Sequence, residues 1–253
     1  MMILAQGCRV IPPGNGEEMT EGTRRYRMPV SRRQGARDIA QTVSRYGRGL
    51  SPARRNGAAE EVLYVFSGSG TCYINGRAYE VRSGTAVFIP PGHQYQIENP
   101  GDELLETVSV CCPEETSVEI HPGPIERIVQ PTNEIPKLTV QESEREAIPT
   151  GERSFRLLAH KDLGCRRVTQ FLGVIPPSRA PHHYHTYEEA IFILQGRGIV
   201  WADDESCEFT AGTSIYLPPG QRHCLENPGP DEVRLLGVFY PSGSPAVSYS
   251  DSE

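Results

Sequence analysis

His183-Tyr184-His185-Thr186-Tyr187-Glu188-Glu189, then six residues and Gly196, then Gly212, Pro218, Gly220, His223 and Asn227, is the stretch that decides how this chain is read. In a strand, residues two apart face the same side. His183 and His185 then point inward together, Tyr184 points away, and Glu189 follows four residues on. The Pro-x-Gly turn returns the chain so that His223 arrives from an adjacent strand. Three imidazoles and one carboxylate form a donor set for a divalent metal, with one or two positions left for water, substrate or O₂.

The same stretch has a partner earlier in the chain. Tyr26-Arg27-Met28 returns as Phe155-Arg156-Leu157, Gly35-Ala36-Arg37 as Gly164-Cys165-Arg166, and Gln41 as Gln170, all 129 positions apart. One residue is then lost and the offset becomes 128. Glu61 matches Glu189, Gly68 matches Gly196, Gly84 matches Gly212, and Ile89-Pro90-Pro91-Gly92 matches Leu217-Pro218-Pro219-Gly220. So many turn residues in one register mark an internal duplication. With the second offset, Arg55 and Gly57 stand where the later repeat has His183 and His185, and Tyr95 stands for His223. Of the four donors only Glu61 remains, and His93 sits two positions early, on the turn. Arginine stays protonated and does not ligate metals, so the first repeat is expected to be metal-free.

Inside each repeat the apolar runs are short. Glu61–Phe66 and Glu189–Leu194 each end at Gly-x-Gly, Ala86–Ile89 and Ser214–Leu217 each end at Pro-Pro-Gly, and Asn75-Gly76 is a strong hairpin signal. Short strands at this spacing indicate an all-β sandwich or barrel. Residues 1–120 are expected to form one unit and 152–253 another. Between them, 121–151 reads as a Pro-rich linker with a charged run from Gln141 to Glu146.

At these residues the chain resembles the cupin superfamily. One motif there is His-x-His, three or four residues, Glu, six residues, Gly, matched by His183, His185, Glu189 and Gly196. The other is Gly, five residues, Pro-x-Gly, two residues, His, three residues, Asn, matched by Gly212, Pro218, Gly220, His223 and Asn227. A glycine that often precedes the first motif by six positions is Pro177 here. The duplication extends the resemblance to a bicupin, and implies two tandem jelly-roll-like barrels (double-stranded β-helices). It also implies His183, His185, Glu189 and His223 as metal ligands, with Glu189 placed to act as a general base as well. The ion is one divalent transition metal per chain, open between Fe, Mn, Zn, Ni, Cu and Co. The substrate is a small organic molecule. Dioxygenase-type oxidation stands slightly ahead of isomerase, decarboxylase or hydrolase chemistry with the metal as Lewis acid. A non-catalytic small-molecule binder or sensor is the alternative from another class, since the fold alone proves no activity.

Neighbours of the motif are expected to be structural. His182 faces outward, Cys224 and Trp201 lie in the core, and Glu188 is solvated. Tyr187, Phe192, Tyr216 and Arg179 are pocket candidates by proximity alone. The net charge is −7 and no basic stripe with interleaved aromatics occurs, so nucleic acid is not the expected partner. The seven cysteines include no Cys-x-x-Cys pair. With no signal-like start and no run long enough to span a bilayer, the expected address is the cytoplasm, with reduced thiols and no membrane contact. A bicupin packs as a built-in dimer, so the chain is expected as a monomer of two repeats or as a homo-oligomer of them.

Overall fold

Alternating apolar side chains and Gly/Pro turns are realised as antiparallel strands throughout. In the computed structural model, residues 1–114, 118–128 and 136–246 are described. Each repeat builds two sheets. The larger sheet of the second repeat centres on Glu188–Gln195, flanked by Ser214–Leu217 and Val233–Tyr240, with Thr169–Ile175 and Arg153–Leu157 beyond. Its smaller sheet runs Ser178–Arg179, His223–Asn227, Arg197–Ala202, Glu205–Thr210. The first repeat repeats this plan around Glu60–Ser67, with Gln94–Asn99 and Ser69–Ile74 at the heart of its smaller sheet. The jelly-roll expectation holds.

Turn chemistry acts where the sequence places it. Asn75 and Gly76 have φ of 45° and 80°, and Ile74 pairs directly with Arg77, a two-residue hairpin. Gly70 and Gly198 serve close approach instead. A Cβ there would lie 2.2 Å from the Glu98 carbonyl oxygen and 2.4 Å from that of Glu226, which no side chain tolerates.

Two features join the repeats. The first is an exchange of strands. Arg9–Ile11 precedes the first repeat but pairs with Ser214–Leu217 of the second, Val10 opposite Ile215. Thr139–Gln141 precedes the second repeat but pairs with Thr85–Ile89 of the first, Val140 opposite Ala86. The polar opening, silent as sequence, therefore contributes the buried side chains Leu4, Cys8, Val10 and Ile11. The stretch 121–151 likewise contains strand Thr139–Gln141 and strand Ile148–Thr150, while its residues 129–135 lie outside the described residues.

The second feature is the face between the larger sheets. Along Glu188–Gln195, Ile191 and Ile193 turn into their own barrel, while Ala190 and Phe192 join a core shared with Val62, Tyr64 and Phe88 of the first repeat. At the ends of this face sit two matching buried carboxylates. Glu188 accepts backbone N–H groups of Arg37 (2.7 Å) and Asp38 (2.9 Å) and the hydroxyl of Tyr216 (2.6 Å). Glu60, its counterpart, accepts the N–H groups of Arg166 (2.9 Å) and Arg167 (2.9 Å). Glu188 is thus buried, not solvated, because the period of two sends it to the inter-repeat face while Glu189 enters the barrel. Tyr216 and Phe192 belong to this face too, and neither lines the cavity that His183, His185 and His223 share.

Candidate metal centre

The strand ladder brings three of the expected ligands together from two segments. His183 pairs with His223 across an antiparallel bridge, with backbone hydrogen bonds of 2.9 and 2.8 Å in the two directions. The Pro-Pro-Gly turn is tied to the first segment by Gly220 N–H, which donates to the His185 carbonyl at 2.7 Å. As a result one ring nitrogen from each of His183, His185 and His223 lies within 4.8 Å of the others. Glu189 enters from the adjacent strand, with Oε2 3.8 Å from Nε2 of His185 and 3.8 Å from Nε2 of His223. These separations exceed hydrogen-bond length, so the lone pairs converge without being tied to one another.

Two of the three histidines are also set in the right tautomer for a metal. Nδ1 of His183 lies 3.0 Å from the Pro181 carbonyl oxygen, and Nδ1 of His223 lies 2.8 Å from that of Gln221. A carbonyl only accepts, so Nδ1 carries the proton and Nε2 keeps its lone pair. Burial pushes both imidazoles below their ordinary pKa, His223 well below it, where His183 reinforces the effect. Burial pushes Glu189 the other way, up to about 8. His185 is held by ring contacts, stacked on Tyr187 with centroids 5.0 Å apart and 5.1 Å from Phe239. The donor set fits a divalent transition metal, with His183, His185, His223 and Glu189 as the residues that could hold it.

These four side chains line one small cavity of about 70 Å³. Its walls are mostly apolar, including Phe155, Phe171, Ile175, Ile191, Leu235 and Phe239, and Pro245 of the C-terminal segment reaches it. The polar groups beyond the four are few: Thr150, Arg153 and Ser154. Arg153 was not singled out by the motifs. Among the described residues no carboxylate pairs with it, and burial lowers its pKa. The remaining pocket candidates lie elsewhere. Tyr187 is behind His185, its hydroxyl donating to the Ser244 carbonyl at 3.0 Å. Arg179 sits over the Trp201 ring at 4.2 Å, and that indole is half-buried rather than core because its N–H reaches out to Glu226 at 2.8 Å. Cys224 is fully buried and His182 lies against it on the outer side of the strand, Sγ to Nε2 3.9 Å.

The first repeat shows what occupies the same place without histidines. Its ladder corrects the sequence register. Tyr95 pairs with Arg54, as His223 pairs with His183, and Gly92 N–H donates to the Asn56 carbonyl, as Gly220 N–H donates to that of His185. The counterparts of His183 and His185 are therefore Arg54 and Asn56. The extra residue falls after Asn56, in the turn Gly57 to Ala59, and not before Arg55. Arg55 is exposed and bonds the Gly92 carbonyl, so it does not share a pocket with Glu61. The interior holds two hydrogen-bonded clusters, each centred on a carboxylate. Asn56 Nδ2 donates to Glu61 at 2.7 Å, and the Tyr95 hydroxyl donates to the other Glu61 oxygen at 3.2 Å. Arg54 donates to Glu21 at 2.6 Å, and Arg24 and Tyr26 meet the same carboxylate at 3.2 and 2.8 Å.

Comparison with known proteins agrees with this geometry. The family model described as a cupin domain matches residues 46–111 and again 171–239, more than half of the chain. The chain belongs to the cupin family. An uncharacterized Methanocaldococcus jannaschii protein is 38% identical to this cupin over 72 residues, 28% of this chain and 54% of that one. A Streptomyces cyaneus protein, polyketide synthase CurC, is 31% identical over 88 residues, 33% of this chain and 57% of its own. The chain thus spans little more than half the length of these curated relatives. Among solved structures, Bacillus subtilis oxalate decarboxylase at pH 4.6 superposes with a TM-score of 0.76 at 18% identity, covering 93% of this cupin and 77% of that chain. A variant of that enzyme gives 0.77 at 18% identity, covering 94% and 78%. At such identity the likeness is one of fold, here a two-repeat cupin. Among the described residues no helix is long and apolar enough to cross a membrane.

Proposed function

We propose that this cupin is a metal-dependent enzyme that acts on a small organic molecule in the second repeat, with His183, His185, Glu189 and His223 as ligands of one divalent transition metal. The observation that carries this is the convergence of three imidazoles and one buried carboxylate on a small, mostly apolar cavity. When bound, the ion would supply Lewis-acid or redox chemistry to a substrate oxygen.

The chain's own groups do the rest. The carbonyls of Pro181 and Gln221 fix two imidazoles so that their Nε2 atoms face the cavity. Phe155, Phe171 and Phe239 exclude bulk water, which strengthens every charge interaction inside. Burial raises Glu189 to about 8, close to neutral pH, and it is the group placed to accept or return a proton at the cavity.

Dioxygenase-type oxidation is the first chemistry, supported by the apolar walls, which favour O₂ and disfavour free water. Decarboxylation with the metal as Lewis acid is the second, supported by the fold shared with an oxalate decarboxylase. The hydrolase reading is weaker, because apart from Glu189 the described residues of the cavity wall offer no carboxylate to take a proton from water. The first repeat is proposed to be metal-free, its interior already filled by the Arg54, Asn56, Glu61 and Tyr95 network.

Elemental analysis of the purified protein tests this. About one metal per chain, lost in His183→Ala and in His223→Ala, is the expected result. Iron or copper supports the oxygenase, and manganese, nickel, cobalt or zinc supports the Lewis-acid chemistries. A wild-type protein that takes up no metal from any of these salts overturns the proposal.

A further inference from the structure

We infer that Arg153 is a substrate-binding residue that receives the carboxylate of a short aliphatic acid in the second-repeat cavity, a substrate class that rests on the cavity being the substrate site. The ground for it is internal, because the first repeat keeps the same arginine and supplies the carboxylate itself.

Arg24 and Arg153 occupy one ladder position. Arg25 pairs with Arg45 in the first repeat and Ser154 pairs with Val174 in the second, each 129 residues on. In the first repeat the guanidinium meets a carboxylate and a hydroxyl. Glu21 Oε2 lies 3.2 Å from Nη1 of Arg24 and 2.6 Å from Nη1 of Arg54. The Tyr26 hydroxyl donates to the other Glu21 oxygen at 2.8 Å, and Arg24 Nε donates to Ser44 Oγ at 3.0 Å.

Carry these partners forward by 129 and each loses the group that met the arginine or its carboxylate. Glu21 becomes Thr150, Ser44 becomes Gly173, and Tyr26 becomes Phe155. All three replacements line the cavity, and Arg153 lines it with them. So the second repeat keeps the cation, removes the internal anion, and opens space where that anion stood. Arg54, the second arginine on Glu21, is replaced by His183, one of the proposed metal ligands. A carboxylate where Glu21 stands in the first repeat lies between the guanidinium and the imidazole cluster.

The chemistry selects the ligand. A guanidinium is always charged and presents paired N–H donors that match a carboxylate. Burial lowers the Arg153 pKa, as expected of a cation that no carboxylate among the described residues pairs. The apolar walls suit aliphatic carbon. The small cavity, about 70 Å³, suits a short acid better than a long one.

The test is isothermal titration calorimetry of propionate, pyruvate and the neutral isostere propionamide. It is run on wild-type protein, Arg153→Gln, Arg153→Lys and Thr150→Glu, with metal content measured on each sample. Both acids are expected to bind wild type at least ten times more tightly than propionamide. Arg153→Gln is expected to weaken them by about 30-fold or more, and Arg153→Lys by less. Thr150→Glu restores the internal carboxylate and is expected to abolish acid binding while metal content holds. Equal affinity for propionate and propionamide in wild type overturns the inference. So does unchanged acid affinity in Arg153→Gln, or acid binding that survives Thr150→Glu. Acid binding that depends on Arg153 in a protein that takes up no metal keeps the inference and refutes the metal proposal, so the two fail separately.

Discussion

Glu188→Ala is the perturbation that tests how the repeats are held together. The carboxylate is 3% exposed and accepts three hydrogen bonds, from Arg37 N–H, Asp38 N–H and the Tyr216 hydroxyl. Hydrogen bonds to a charged group are worth about 1.5–3 kcal/mol each. The three share one carboxylate and are not additive, and truncation leaves two backbone donors and a phenol buried. The expected cost is about 3–5 kcal/mol, a large part of the roughly 5–15 kcal/mol that keeps most proteins folded. Glu60→Ala removes the matching contacts to Arg166 and Arg167 but no phenol, and is expected to cost about 1 kcal/mol less. Urea unfolding at pH 7 measures both. A second expectation concerns the shape of the curve. If the clamp couples the repeats, its loss separates their transitions and the apparent slope with urea falls. A loss under about 1 kcal/mol for Glu188→Ala, with an unchanged slope, would show that these carboxylates are no more than surface-grade contacts and would refute the reasoning.

Three further outcomes are expected. In metal-free protein Glu189, with its pKa raised to about 8 from 4.5, keeps a proton that the unfolded chain has lost. Stability therefore falls as pH rises through that window. The depressed histidines oppose this below about pH 6.5, so thermal unfolding should show the fall between pH 6.5 and 8, about 1.4 kcal/mol per unit, and Glu189→Gln should flatten it. Arg54→Ala and Asn56→Ala should leave metal content unchanged while lowering the melting temperature, and loss of metal from either would show that the first repeat also holds an ion. Deleting residues 1–11 uncovers the edge of Ser214–Leu217, whose Leu217 is the ladder partner of Glu189. Light scattering should then show association through that edge, and a monodisperse truncated protein would argue against the strand exchange.

The two-repeat fold and the four candidate ligand positions were legible because both are local signals. Turns that demand Gly or Pro, and a His-x-His pair read at a period of two, need only short spans of sequence. What was hidden depends on partners far along the chain. Residues 9–11 carry no periodicity of their own, and only the edge of Ser214–Leu217 makes them a strand. Glu188 and Glu189 differ by one step, and nothing local says that one meets backbone amides of the other repeat while the other faces imidazoles. The misplaced one-residue shift had a similar cause. Alignment by type put Arg55 under His183, whereas the ladder, through Tyr95 and Arg54, fixes the register. Arg153 was readable in principle, since Arg24-x-Tyr26 and Arg153-x-Phe155 share the 129-residue spacing, but the contrast lies in Glu21, whose counterpart Thr150 gives no sign in sequence that it faces an arginine.

The exchanged strands also bear on inheritance. A gene for this chain cannot shed the half without the clustered histidines and keep a working remainder, because the cut that removes one barrel also removes an edge strand of the other. Residues 9–11 travel with the first barrel in the gene and with the second in space, and residues 139–141 do the reverse. Two halves that have diverged in chemistry thus remain under a common selection for folding, which gives a plain reason why a barrel can lose three of four donor residues and still be carried intact.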